Sequence, residues 1–81
     1  MQKAPISQAL IQKIEQSLAH HDIRIESVQG TWISIRNGYQ IEIEHEQLFK
    51  LLQDRQVIAP FDDLAEMSAF LENCLILDEQ N

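Results

Sequence analysis

An α+β fold with the element order α-β-β-β-α-α follows from three features of this 81-residue sequence. Apolar residues recur at helical spacing near the start, alternate with polar residues in the middle, and return to helical spacing towards the end. The only two glycines, Gly30 and Gly38, fall between alternating segments, where turns belong. The expected architecture is a three-stranded antiparallel meander with helices packed on one face, forming a single domain over residues 1–81.

The first helix is expected from about Ser7 to His20. Ser7 supplies the cap, because its hydroxyl accepts a hydrogen bond from a free first-turn N–H. Leu10, Ile11, Ile14 and Leu18 form the apolar stripe. Asp22 marks the exit. Next, Ile23 and Ile25, then Thr31, Ile33 and Ile35, then Tyr39, Ile41 and Ile43 share one sheet face. Arg24, Glu26, Trp32, Ser34, Gln40, Glu42 and Glu44 share the other.

Turn length decides whether that phasing survives pairing. A two-residue loop at Asn37-Gly38 would set Ile33 opposite Glu42 and mix the faces. A three-residue loop, Arg36-Asn37-Gly38, pairs Ile33 with Ile41, and burial selects it, since a one-residue slip flips every side chain. The same reasoning at Val28-Gln29-Gly30 pairs Ser27 with Thr31, Ile25 with Ile33 and Ile23 with Ile35. Glycine is third in each loop, at the left-handed position of a bulged turn.

A second helix is expected from Glu46 to about Arg55, with Leu48, Phe49, Leu51 and Leu52 on its apolar side. Pro60 disfavours helix at Ala59 and so separates this segment from the last helix. That helix begins at Asp62 or Asp63. With Asp63 as cap, Glu66 stands three residues on, as in a capping box. Leu64, Met67, Leu71 and Leu75 make its stripe, with Phe70 and Cys74 on the shoulder, and Asp78-Glu79-Gln80-Asn81 is expected to fray. The α-β-β-β-α order resembles double-stranded-RNA-binding domains in topology alone. The last helix has no basic cluster, so no RNA contact is implied.

Composition narrows the function. Apolar residues make up 44 % of a chain carrying a formal charge of −7. The charge is uneven: ten acids from Glu42 onward face only Lys50 and Arg55, and no base follows Arg55. Direct binding to phosphate backbones or anionic membranes is disfavoured, because both rely on Lys and Arg. A basic protein partner would meet the C-terminal half. With Cys74 as the only cysteine, no intrachain disulfide forms. No run approaches the roughly 18 apolar residues of a membrane span, and no secretory leader is recognisable, so a cytoplasmic protein is expected.

No catalytic, cofactor or metal motif is assembled in the sequence. Glu42-Ile43-Glu44-His45-Glu46 resembles a cation site, but alternation turns His45 away from the two strand carboxylates. His20 and His21 diverge by about 100° on a helix and suit its negative end instead. Cys74 has no activating base nearby in sequence.

Trp32 is the most informative residue. Alternation puts it on the polar face of the central strand, with Glu26 and Glu42 beside it on the neighbouring strands. A Trp there is an anchor for a partner, a residue covered by the last helix or the C-terminal segment, or a platform for a small ligand. Asp62, Asp63 and Glu66 extend the candidate contact surface. The leading expectation is a small acidic, non-enzymatic protein-interaction module: an adaptor, regulatory subunit or inhibitor, able to form a homodimer. Alternatives are an acidic inhibitor that imitates nucleic acid, and a small-ligand carrier or enzyme using an unrecognised pocket.

Overall fold

The computed structural model describes residues 8–45 and 48–80. It contains helix α1 (Gln8–His20), strands β1 (Ile25–Gln29), β2 (Trp32–Ile35), β3 (Tyr39–His45), β4 (Leu48–Gln53) and β5 (Gln56–Phe61), and helix α2 (Leu64–Glu79). The strands form one antiparallel sheet in chain order, with β3 at its centre. The class is α+β, as expected, but there are five strands instead of three. The expected cap Ser7 and the expected helix start at Glu46 lie outside the described residues.

The segment read as a second helix is a β-hairpin. Its run Leu48-Phe49-Lys50-Leu51-Leu52 is short and apolar enough to suit either state, and periodicity alone does not separate them. Tertiary context does. As a strand, β4 fills the hydrogen-bonding edge of β3, pairing Ile43 with Phe49 and Ile41 with Leu51. Phe49 and Leu51 then join the core while Lys50 faces outward. Pro60 is tolerated because β5 is an edge strand, where an amide without a hydrogen can face away from the sheet. The added hairpin also removes the topological likeness to RNA-binding domains.

The isoleucine phasing holds, by two different devices. The turn Arg36–Gly38 spans three residues, with Asn37 at φ 65 and Gly38 at φ 80, and sets Ile33 opposite Ile41 as expected. The first hairpin departs from expectation. Its loop is only Gly30-Thr31, with Gly30 at φ 60, so Gln29 pairs with Trp32, Val28 with Ile33 and Ser27 with Ser34. Continued unbroken, that register would put Glu26 opposite Ile35. A bulge between Ile25 and Ser27 absorbs one residue and returns Ile25 to Ile35. Ile23 precedes β1 and is buried, its N–H donating to Leu18 O at 2.9 Å.

Both helices pack on the isoleucine face. Ile14 and Leu18 of α1, and Met67, Leu71 and Leu75 of α2, join Ile33, Ile35, Ile41, Ile43, Phe49 and Leu51 in one core. α2 opens as the sequence suggests: the Asp63 carboxylate accepts from Ala65 N at 2.8 Å and Glu66 N at 3.1 Å. The helices meet through serines. The Ser17 hydroxyl donates to Leu64 O at 3.3 Å and lies 2.7 Å from the Ser68 hydroxyl. With the Ser17 proton so used, Ser68 is the donor between the two, and its burial is satisfied.

The end of α2 is tied down, not frayed. His21 Nδ1 lies 2.9 Å from Glu72 Oε1, Tyr39 OH donates to Asp78 Oδ2 at 2.9 Å, and Arg36 Nη2 donates to Glu79 Oε2 at 2.8 Å. Helical spacing alone could not reveal these ties, because their partners lie 39 to 51 residues away. Burial, and then acceptance of its hydrogen bond by Asp78, push the Tyr39 hydroxyl well above its ordinary 10.0. A raised folded value contributes stability that is complete below about pH 10 and is lost as pH rises above it. Tyr39 is the only tyrosine, so its ultraviolet titration is unambiguous. Tyrosinate is expected to appear only with alkaline unfolding, and reversible ionisation near pH 10 in the folded protein would contradict the Asp78 tie.

The two glycines should differ on substitution. A Cβ at Gly30 meets open space, whereas at Gly38 it runs into the Asp54 carboxyl group. Gly30→Ala is expected to lose about 1 kcal/mol through left-handed strain alone, and Gly38→Ala more than that, because the Asp54 carboxylate must also turn aside. Urea midpoints measure both, and a loss at Gly38 no larger than at Gly30 would contradict the contact with the Asp54 side chain.

Candidate functional site

The sheet face opposite the helices is built from two transverse rows. Ser27, Ser34, Gln40, Leu52 and Val57 form one, and Gln29, Trp32, Glu42, Lys50 and Pro60 the other. Neither helix crosses these rows, since both pack on the isoleucine side. The last helix therefore does not cover Trp32, contrary to one of the expected placements. Trp32 is half-buried.

The positions around Trp32 differ partly from expectation. Glu42 is directly opposite it, as expected. Glu26 is not beside it, because the two-residue loop brings Gln29 to that place and leaves Glu26 at the bulge. Trp32 also stands on the second strand of five, not on the central one. Together Gln29, Trp32, Ser34, Gln40 and Arg55 line an open cleft of about 400 Å³. Ser34 and Gln40 are legible in sequence as outer-face residues by simple alternation. Gln29 and Arg55 are not: spacing puts the former in a loop and the latter at the end of a helix.

Arg55 reaches the cleft from a two-residue turn. Asp54 and Arg55 both have positive φ, 52 and 72, a conformation that usually selects Asn-Gly. The Asp54 N–H donates to Gly38 O at 3.0 Å, joining this turn to the one between β2 and β3. Beneath the cleft, Gln40 Oε1 is sealed from solvent and has no hydrogen-bond donor among the described residues. A buried amide oxygen left this way costs about 1–3 kcal/mol of desolvation.

Elsewhere on this face, Lys50 and Glu44 form an ion pair. Its hydrogen bond and charge hold the Glu44 carboxyl below its ordinary range and the Lys50 ammonium above its own. The Glu42–Glu46 run thus places one carboxylate against a lysine on the next strand. Among the described residues, no group of three or more His, Cys, Asp and Glu side chains is arranged to hold a metal ion.

Of the other candidate contacts, Asp62, Asp63 and Glu66 lie where β5 passes into α2, away from Trp32 in the fold, and all three are exposed. Asp63 is the helix cap. Among the six acids after Arg55, Asp63, Glu72, Asp78 and Glu79 make hydrogen bonds within the fold. Cys74 is half-buried on α2, next to the core. No helix among the described residues is long and apolar enough to cross a membrane. Comparisons with protein-family models, curated proteins and solved structures found no match to this chain.

Proposed function

We propose that this chain is a small protein-interaction module that docks a protein partner on its open sheet face, with Trp32 as the anchor. The observation that carries the reading is a half-buried tryptophan on a sheet face that neither helix covers. Desolvating an indole that neighbouring strands already hold in place gains apolar contact at small entropic cost. Val57 and Pro60 extend the exposed apolar part of the same face, while Glu42, Glu44 and Lys50 provide a charged margin.

Pairing with a second copy through a sheet edge draws less support. Both edge strands are bulged and β5 carries Pro60, devices that blunt an edge. Imitation of nucleic acid also draws less support, because four of the six terminal acids already serve the fold. The module reading assigns the protein to the cytoplasm, in keeping with its single cysteine.

Affinity capture with the wild type, Trp32→Ala and a doubly reversed Asp62→Lys, Glu66→Lys variant tests the proposal. The wild type and the reversed variant are expected to retain the same partner. Trp32→Ala, with unchanged circular dichroism, should weaken it at least about thirtyfold, as for an interface anchor. A partner held equally by Trp32→Ala, or lost only on charge reversal, would remove the sheet face from the interaction.

A further inference from the structure

We infer that the cleft beside Trp32 receives the carboxyl-terminal residue of the partner polypeptide. This rests on the docking role proposed above and supplies its chemistry. Four polar side chains, Gln29, Ser34, Gln40 and Arg55, converge on one indole. None of the four makes a side-chain hydrogen bond or ion pair among the described residues. Gln29 and Arg55 are exposed and free to engage a ligand, while the sealed Oε1 of Gln40 is a buried polar atom that lacks the partner such atoms ordinarily find.

The complement of these groups specifies the ligand. Arg55 offers a planar fork of N–H donors, the arrangement that grips a carboxylate through two parallel bonds. Gln29 and Ser34, on β1 and β2, line the same cleft with neutral donors for the rest of the ligand. Gln40 lacks a donor at Oε1, and its terminal amide turns about a soft torsion, so a ligand N–H can satisfy it once the amide swings to the cleft. Trp32 supplies a flat apolar wall. The ligand must therefore carry an anion, an N–H and an apolar group close together. The last residue of a polypeptide carries all three on one Cα.

Size and charge favour the chain end over its middle. The cleft's roughly 400 Å³ falls low in the range of small-ligand sites, about 300–1,000 Å³, which suits a terminal residue or two. Glu42 lies one row further from the Asp54–Arg55 turn than Gln40, so its charge drives a carboxylate towards Arg55. The turn itself fits the role. Holding Arg55 at φ 72 costs about 1–2 kcal/mol that a glycine would avoid, and glycine would provide no guanidinium.

The test uses the full chain, N-acetyl-phenylalanine as probe and N-acetyl-phenylalanine amide as control, followed by two-dimensional ¹H–¹⁵N spectra at low salt. The single tryptophan gives one indole N–H signal. That signal and the Gln40 side-chain amide are expected to shift saturably with the free acid. Binding should be at least about tenfold weaker with the amide, and at least about tenfold weaker for the acid with Arg55→Gln, whose exposed turn position spares the core. Absence of a saturable shift, or equal response to acid and amide, would overturn the inference. A captured partner that is lost on Trp32→Ala yet binds equally after its carboxyl end is amidated would overturn this inference and leave the docking role standing.

Discussion

Ile33, Ile41 and Leu51 stand side by side on adjacent strands, each fully removed from solvent beneath the two helices. That row depends on every strand keeping its apolar residues on the same side, and each connection achieves this in its own way. The three-residue turn at Arg36–Gly38 does it by length. The first hairpin has a shorter loop and corrects the register with a bulge at Glu26. A slip of one residue in either hairpin would put carboxylates or hydroxyls into the core, so the rest of the fold follows from this phasing. Both helices are thereby committed to one face, and neither of them covers the other, which carries the indole.

The acidic C-terminal half looks like a charged surface in sequence and behaves largely as a set of fasteners in the fold. Asp63 starts α2, and Glu72, Asp78 and Glu79 tie its second half to His21, Tyr39 and Arg36. A thin core gains from such distributed ties because it buries a smaller share of its surface than a large domain does. The anchoring also bears on function. With α2 fixed to the isoleucine side, that helix does not cover Trp32.

Much of the fold was legible wherever local pattern and burial agree. The stripes Ile14–Leu18 and Met67–Leu71–Leu75, the Asp63 cap and the outward phase of Trp32 all follow from spacing. The Leu48–Phe61 hairpin was not legible, for two physical reasons. Adjacent Leu51 and Leu52 are both buried, on opposite faces, which imitates a broad helical stripe. The turn that joins β4 to β5 uses Asp54-Arg55 at positive φ, without the glycine that would have announced it. The bulge at Glu26 was hidden for a similar reason, since nothing local distinguishes a bulged glutamate from a paired one. The cleft inherits these limits: Trp32, Ser34 and Gln40 were placed by alternation, but Gln29 and Arg55 arrive through the two connections that spacing misread.

One-sided coverage of the sheet is the central claim, and the lone tryptophan reports on it directly. Acrylamide quenching of Trp32 fluorescence in the folded protein, compared with the same chain in urea, measures how much of the indole meets solvent. The account predicts substantial quenching in the folded state, intermediate between a free indole and a core residue, with emission that is only partly blue-shifted. Strongly blue-shifted emission that acrylamide hardly quenches would mean that the indole is enclosed, and would contradict an open sheet face.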